Sequence, residues 1–161
     1  MTDLTLTAKL ASTSKVEMTQ LVLPGYANSL GNAFGGRVMQ WTDLAAAIAA
    51  MRHARMPVVT ASIDQLSFHA PIRVGQIAIL RAQVNAVFGS SMEIEVTVDA
   101  EDPRTGDRKL CCDAFLTFVA LGPDGKPAKA PLLLPHSEEE EARARAAATR
   151  RAERLARRDR T

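Results

Sequence analysis

A single acidic residue interrupts the most apolar stretch of the chain. Asp43 lies in the middle of an alanine-rich segment that we predict to be a helix, where a carboxylate is costly to desolvate. Carboxylates in such surroundings concentrate at functional sites, where they serve as general bases. The alternative is that Asp43 lies on the one exposed edge of the helix, paired with Arg37 or Gln40.

A pair of glycines, Gly35 and Gly36, stands just before this helix. Glycines at this position let a ligand approach the free N–H groups of the first helical turn, which favour negative charge. A carbonyl oxygen that becomes an oxyanion during a reaction carries such a charge. The pair could equally be a flexible entry to the helix, and Asn28, in the preceding loop, could be an ordinary turn former.

Other residues that often carry chemistry show no useful spacing. His53 is expected to end the helix, His69 to end a strand, and His136 to lie outside the core. The adjacent residues Cys111 and Cys112 would point to opposite faces of a strand, which disfavours a disulfide or a shared metal site. Neither a G-x-S-x-G nucleophile motif nor the spacing of a metal site or phosphate loop is present. We therefore expect no metal and no cofactor.

The hydrophobic pattern indicates the elements that position these residues. Residues 37–54 predict a helix that is apolar nearly all the way round and therefore buried. The remaining runs have the composition and period of strands; they are 16–23, 58–68, 76–88, 93–98 and 110–121. Four strands with short connections after one helix predict an antiparallel sheet wrapped around that helix, an α+β fold.

The two ends of the chain differ from this body. Residues 1–13 are rich in Thr and Ser and are expected to be flexible, whereas residues 122–135 are expected to extend along the surface. Ser137 and Glu140 match a capping box, which predicts a polar helix running toward Arg158. Its mixed charges suggest a solvated or partly docked appendage; a basic segment that contacts anionic partners is the alternative.

Charge and composition exclude several classes of function. The net charge is +2, and eight basic and six acidic residues after residue 135 account for it, so the body is neutral. A neutral body argues against nucleic-acid binding. No cleavable signal sequence or membrane-inserted segment is expected, because the N-terminus is polar and Asp43 interrupts the apolar helix. We expect a reduced, cytoplasmic protein.

Three blocks of residues, taken in order, carry a resemblance to a known family. The first block is Leu23-Pro24, Ala27-Asn28, Gly31-Asn32, Phe34-Gly35-Gly36, Met39, Trp41, Asp43 and Ala45-Ala46. The second is Val59-Thr60-Ala61, Asp64, Phe68, Pro71 and Val74-Gly75, and the third is Ser91-Met92-Glu93-Ile94-Glu95-Val96. Together they resemble the acyl-CoA thioesterases, a family of bacterial broad-range acyl-CoA hydrolases and animal cytosolic and brain acyl-CoA hydrolases.

The resemblance implies a fold, an assembly and a reaction. The fold would be a hot-dog domain over residues 14–121, an antiparallel sheet around one long central helix. Residues 122–161, the surface segment and polar C-terminal helix predicted above, would extend beyond that domain. The assembly would be a homo-oligomer, a dimer joined edge to edge through its sheets and built further into a hexamer as a trimer of dimers. The reaction would be hydrolysis of a fatty acyl-CoA to the free acid and CoA. Coenzyme A is then part of the substrate and product, and no cofactor is implied.

The resemblance also implies roles for individual residues. Asp43 would be the general base that activates water, or a nucleophile that forms an anhydride. Asn28, from the opposite subunit, would orient that water, and the backbone N–H near Gly36 would polarise the thioester carbonyl. Thr60 would support Asp43. The residues that would lie close to the substrate and its CoA group are Gly35, Gly89, Ser90 and Ser91.

The chain departs from the family in small ways, and two rivals stay open. Arg37 and Gln76 replace residues that are usual in the family, and the C-terminal helix has no evident counterpart. A hot-dog dehydratase acting on enoyl or hydroxyacyl thioesters would need a histidine with an acidic partner near the helix, and none lies within residues 28–43. A non-catalytic acyl-CoA-binding regulator usually carries a DNA-binding domain, for which the N-terminal stretch is too short.

Overall fold

A five-stranded antiparallel sheet packs against one long helix in the computed structural model, which describes residues 7–161. The helices are α1 (Gly35–Ala54) and α2 (Glu138–Arg158). The strands are β1 (Lys9–Leu10), β2 (Val16–Leu21), β3 (Val58–Phe68), β4 (Ile77–Phe88), β5 (Ser91–Glu101), β6 (Arg108–Ala120) and β7 (Leu133–Leu134). The main sheet has the order β2-β4-β5-β6-β3. This is the α+β architecture that the sequence predicts.

The core lies between α1 and the concave face of the sheet. Along β5, every second side chain is fully buried and packs in the same hydrophobic cluster as the alanines of α1; these side chains are Met92, Ile94, Val96 and Val98. Fully burying one such side chain contributes roughly 1.5–3 kcal/mol. The alternate residues, Glu93 and Glu95, point to the opposite face of the sheet.

The outward face of α1 is apolar but exposed in the single chain. Met39, Leu44 and Met51 are 39%, 50% and 43% exposed, and Asp43 lies half-buried among them. The expectation of a helix buried all round is therefore wrong for one chain by itself. A stripe of this kind on a central helix indicates a surface that a partner covers.

Two β-bulges in β3 change the face of the sheet to which its side chains point. The register of β3 against β6 shifts between Thr60 and Ser62, and again between Ile63 and Gln65. A bulge inserts one residue on one strand and so breaks the strict alternation of faces. As a result Thr60 contacts α1 on the concave face, whereas Asp64 contacts α2 on the convex face.

The helix α2 packs on the convex face of the sheet through arginines rather than an apolar stripe. Arg143, Arg150 and Arg154 form ion pairs with Glu95, Glu93 and Asp64 at 3.4, 2.7 and 3.1 Å. The Ser137 hydroxyl caps α2 by accepting a hydrogen bond from the Glu140 N–H at 3.1 Å, but Glu140 Oε2 accepts from the His136 N–H at 2.7 Å, so only the serine half of the capping box is formed. The helix is therefore a partly docked appendage, and contact of its basic residues with an anionic partner stays a prediction.

The segments that flank the body are held to each other. Strand β1 pairs in parallel with β7, and Ala11, in the short 3₁₀ turn after β1, is fully buried. Residues 1–6 of the segment expected to be flexible lie outside the described residues. Among the described residues, neither helix combines the length and hydrophobicity that crossing a membrane requires.

His53 ends α1 in a fully buried position under the segment that leads into β7. Its Nε2 atom lies 2.7 Å from the carbonyl oxygen of Pro131, and its Nδ1 atom has no partner among the described residues. Burial lowers the pKa of His53 below its ordinary value of 6.5. His53 therefore lies at the helix end, as expected, but as a buried histidine whose lowered pKa favours the neutral form.

Acidification should consequently destabilise the fold in part through His53. Because the pKa is lowered in the folded state, the unfolded chain takes up the proton first, and stability is lost as pH falls below about 6.5 toward the folded pKa. We expect His53→Gln, which keeps a side-chain donor but does not titrate, to lose less Tm than the parent between pH 7.5 and 5.5. Equal decreases in Tm in the two proteins would contradict the assignment of the acid sensitivity to His53.

Candidate active site

The side chain of Asp43 is held by a threonine from the neighbouring strand. Thr60 donates a hydrogen bond from its hydroxyl to Asp43 Oδ1 at 2.7 Å. Arg37 instead donates to Gln40 Oε1 at 3.0 Å and stacks over the Tyr26 ring, so neither of the partners considered for Asp43 is bonded to it. Among residues 7–161 the second carboxylate oxygen of Asp43 accepts no hydrogen bond, so it can accept a proton or a hydrogen bond.

The N-terminus of α1 presents two unused donors at Gly35 and Gly36. The Arg37 and Val38 N–H groups bond to the Phe34 carbonyl, but within the described residues the N–H groups of the two glycines have no acceptor. A Cβ atom added at Gly36 would meet nothing within 4 Å, whereas one at Gly35 would lie 3.6 Å from the Phe68 ring. The open approach to Gly36 can therefore admit a ligand oxygen.

The side chain of Asn28 performs two tasks at once. Its Oδ1 atom accepts hydrogen bonds from the N–H groups of Leu30 and Asn32 at 3.0 and 3.2 Å, which fixes the loop before α1. Its Nδ2 group has no acceptor among the described residues, so both amide hydrogens are available. Asn28 thus forms the turn that the sequence suggested, and its Nδ2 group can still donate hydrogen bonds.

A cavity of about 420 Å³ opens beside these donors. Its lining joins the loop before α1 to the connection after β3: Asn28, Asn32, Ala33, Gly35, Val38, Phe68, His69, Ala70, Pro71 and Ile72. His69 Nε2 lies 2.8 Å from Asp113 Oδ1, a contact between residues 44 positions apart. No sequence motif indicated His69 or its partner, because only the pairing of β3 with β6 brings them together.

Asp43 and Gly36 belong to the same face of α1 but cannot reach the same atom. They are seven residues apart, which is two helical turns or about 10 Å along the axis. Asp43 does not line the cavity that contains Asn28 and Gly35. A general base must approach its proton to about 3 Å, so Asp43 and the Gly36 N–H would have to contact different atoms of the reacting groups.

The predicted CoA-contacting residues at 89–91 form the turn between β4 and β5. Gly89 adopts a left-handed conformation with φ of 67°, and Ser91 donates to the Phe88 carbonyl at 3.3 Å. This turn does not line the cavity at Asn28. It is therefore a second location, separate from the catalytic candidates within one chain.

The cysteines and acidic groups do not form a metal or nucleophile site in the described part of the chain. No group of three or more His, Cys, Asp or Glu side chains there could hold a metal ion. Cys111 and Cys112 are both free and buried, and burial raises the pKa of Cys112 to about 11. A thiol with that pKa is a poor nucleophile at neutral pH.

Residues 30–106 match the model of the thioesterase superfamily. The acetyl-coenzyme A thioesterase of Rattus norvegicus is 41% identical over 143 residues, which cover 88% of this chain and 25% of that protein. The acyl-CoA thioester hydrolase YkhA of Bacillus subtilis is 43% identical over 127 residues, covering 79% of this chain and 74% of that protein. The chain thus spans about a quarter of the rat protein and most of the bacterial one.

Solved structures with the same fold are also similar in sequence. An apo-hexameric acyl-CoA thioesterase superposes with a TM-score of 0.90 at 38% identity, covering 94% of this chain and 97% of that one. An acyl-CoA hydrolase from Staphylococcus aureus, solved with butyryl coenzyme A, coenzyme A and coenzyme A disulfide, gives 0.88 at 38% identity, covering 94% and 92%. A match over 94% of 161 residues leaves out fewer residues than the 21 of α2. Part of α2 therefore has a counterpart, contrary to expectation.

Proposed function

The chain belongs to the thioesterase superfamily and to its acyl-CoA hydrolases, and we propose that it hydrolyses fatty acyl-CoA to the free acid and CoA. The observation that carries the proposal is the half-buried carboxylate of Asp43, held at 2.7 Å by Thr60 on the outward face of α1. The open N–H of Gly36 and the free amide of Asn28 supply the donors that such a reaction needs.

The chemical step follows from these groups. Asp43 takes a proton from water while the water oxygen attacks the thioester carbonyl carbon, and the carbonyl oxygen accepts hydrogen bonds from the Gly36 N–H. When the tetrahedral intermediate collapses, the C–S bond breaks. The CoA sulfur takes the proton that Asp43 had accepted, and CoA leaves as the free thiol. The Asn28 amide donates to the attacking water, and the Thr60 hydroxyl keeps the carboxylate oriented. The Gly89–Ser91 turn lies along the path of the CoA group.

The site is proposed to form between two copies of the chain. Asp43 and Gly36 of one chain are about 10 Å apart, so Asp43 of one subunit would act with Gly36 and Asn28 of the other. Strand β3 is an edge strand of 11 residues whose outer edge pairs with no other strand of the described residues, and its Val59 and Ile63 side chains are 46% and 40% exposed. Pairing β3 with β3 of a second copy would cover that edge and the apolar stripe of α1.

A homo-oligomer is therefore part of the proposal. The dimer would join two sheets edge to edge, and three dimers would form the hexamer that two of the solved relatives are described as. A cytoplasmic location fits the free thiols of Cys111 and Cys112. The proposed reaction uses water together with side chains and a backbone N–H group of the protein, and coenzyme A enters as part of the substrate.

Mixing two inactive variants should restore activity if the site is shared. A dimer of one Asp43→Ala chain and one Asn28→Ala chain has one site with both side chains intact and one with neither. Co-expression with two different affinity tags, followed by thiol-release assays, should yield about a quarter of the parent rate, because half of randomly formed dimers are mixed and each has one intact site.

The same mixture gives a clear opposite result if each site is built within one chain. Every site would then lack one of the two groups, and mixed preparations would be as inactive as the separate variants. Tandem purification through both tags isolates the mixed assemblies, and the two variants purified alone are the matched controls. If a verified mixed dimer showed no recovery of thiol release, the shared site would be contradicted. The proposed reaction class would not be affected.

A dehydratase is the second candidate, and one observation favours it. His69 lines the same cavity as Asn28, and its Nε2 lies 2.8 Å from Asp113 Oδ1, so the two residues supply the histidine and acid that the neighbourhood of α1 lacks in sequence. Hydrolysis of an acyl-CoA releases a free thiol, whereas addition or loss of water in the acyl chain leaves the thioester intact. Thiol release by Asp113→Asn at the parent rate would exclude a required role for this pair.

A further inference from the structure

A cavity of about 380 Å³ lies on the convex face of the sheet, between the start of β2 and helix α2. Its lining consists of Lys15, Val16, Glu17, Arg81, Ala82, Gln83, Glu95, Thr97 and Arg143. None of these residues lines the cavity at Asn28. The volume falls within the range of roughly 300–1,000 Å³ that small-molecule sites occupy. This convex-face cavity is therefore large enough for a ligand and separate from the candidate active site.

Both carboxylates in the lining are neutralised by arginines. Arg81 lies 3.2 Å from Glu17 and also 3.0 Å from Asp99, which is outside the lining. Glu95 is paired with Arg143 at 3.4 Å through the Nε atom, so within the described part of the chain the terminal N–H groups of Arg143 keep no partner. A negatively charged ligand would thus meet carboxylates whose charge is already balanced.

The donors that remain unused in the convex-face cavity favour an anion. Among residues 7–161, the Lys15 ammonium has no carboxylate within ion-pair distance, and the Thr97 hydroxyl has no hydrogen-bond partner. Thr97 lies beside Arg81 in the pairing of β4 with β5. Lys15 and the terminal N–H groups of Arg143 supply charged donors, and hydrogen bonds from such donors to a carboxylate are the strong ones. The cavity is therefore suited to a carboxylate.

A smaller cavity of about 250 Å³ adjoins the first beneath α2. The two share Glu95 and Arg143, and the smaller one is also lined by Asn85, Phe115, Ala142, Ala146 and Arg150. It is open because α2 carries alanines at two of these positions, where longer side chains would fill the space.

The smaller cavity offers a ligand mainly apolar surface. Asn85 and Arg150 both donate to Glu93, at 3.2 and 2.7 Å, so their polar groups are already engaged. What remains is the Phe115 ring, stacked under the Arg150 guanidinium at 3.7 Å, and the methyl groups of Ala142 and Ala146. A hydrocarbon chain would remove this surface from water.

We propose that the two cavities together bind a carboxylic acid with a hydrocarbon chain. Its carboxylate lies between Lys15 and Arg143, and its chain extends beneath α2 beside Phe115. The free acid released by the proposed reaction belongs to this class, so the site responds to the accumulation of product. The identity of the acid as the product rests on the proposed function, whereas the charges and volumes of the cavities do not.

Binding of octanoate to the full chain, measured by isothermal titration calorimetry, tests the site without any turnover. Lys15→Gln should raise Kd roughly fivefold, as for loss of one exposed ion pair. Ala146→Leu should raise Kd at least about tenfold, the equivalent of two buried methylene groups, because the added side chain occupies the space of the hydrocarbon chain. Octanol, which has the chain but no charge, should bind equally to the parent and to Lys15→Gln.

Two matched variants control for charge and for volume. Lys126→Gln removes the same charge from an exposed turn, and Ala148→Leu adds the same side chain to the exposed face of α2. Both should bind octanoate as the parent does. Thermal unfolding of Ala146→Leu reports whether α2 stays docked, and Lys15→Gln tests the site without any change in α2.

Several outcomes would overturn the site. No binding of octanoate by the parent would do so, as would a parent-like Kd in both Lys15→Gln and Ala146→Leu, since the acid would then bind elsewhere. Equal affinity of the parent for acetate and octanoate would show a site for small anions and contradict the place given to the chain. If Lys15→Gln weakened octanol as much as octanoate, Lys15 would be a structural residue. Absence of thiol release from every acyl-CoA would instead contradict the hydrolase and leave the octanoate results unchanged.

Discussion

Asp43→Asn is expected to lower kcat for acyl-CoA hydrolysis by about 10²- to 10⁴-fold, the range for removal of a positioned general base. Asparagine has nearly the shape of aspartate and retains an oxygen that can accept the Thr60 hydroxyl bond seen at 2.7 Å. It cannot take a proton from water. The variant should therefore remain folded and oligomeric, and thiol release under saturating substrate measures the loss.

The control is the same substitution at a site without chemistry. Asp124→Asn changes an exposed turn residue whose Oδ1 accepts the Lys126 N–H at 3.1 Å, a bond that asparagine can also form. Its kcat should equal that of the parent. A decrease of only severalfold in Asp43→Asn, with an unchanged control, would be too small for a base and would contradict the role assigned to Asp43. No turnover by the parent on any acyl-CoA, with CoA esters still bound tightly, would instead move the acyl-CoA-binding regulator to first place.

The elements of this fold can be predicted from period and composition. The alanine-rich run predicted a helix at 37–54, and the structure has one at Gly35–Ala54. The strand expected at 58–68 occurs as Val58–Phe68. The predictions of these segments succeed because α1 and the sheet share one core, and each hydrophobic period of the sequence corresponds to one buried face of an element.

The bulges in β3 could not be predicted in this way. A strict alternation would place Thr60 and Asp64 on one face, yet Thr60 contacts Asp43 of α1 and Asp64 contacts Arg154 of α2. A bulge depends on the register of the partner strand, which no local pattern contains. The support of Asp43 by Thr60 came from the family resemblance alone.

The docking of α2 could have been predicted from the helical spacing of its residues if arginines had been counted together with apolar residues. Its partly buried positions recur with helical spacing, but they hold Arg143, Arg150 and Arg154 around the buried Ala147. Arginine stems cover apolar surface while the guanidinium groups reach acids. The sequence does not indicate that these acids lie together, because Glu93 and Asp64 come from different strands.

Long-range contacts also explain what the sequence missed in the site. His69 and Asp113 are 44 positions apart and meet only because β3 pairs with β6. The separation of Asp43 from Asn28 into different parts of one chain is equally a matter of packing. The sequence places both residues near α1, and the pairing of Asp43 with Asn28 across two subunits is a proposal that the mixture of variants tests.

Asn28→Asp is expected to lower kcat by about 10²- to 10³-fold without disturbing the loop, the range for loss of one preorganised donor. Aspartate keeps the oxygen that accepts the Leu30 and Asn32 N–H groups at 3.0 and 3.2 Å. It lacks the amide that donates to water, and it adds a negative charge where Asp43 of the other subunit would act. Asn28→Ala loses both functions, so its Tm should fall as well. Parent-like turnover in Asn28→Asp, with an inactive Asn28→Ala, would show that the residue serves only to shape the loop.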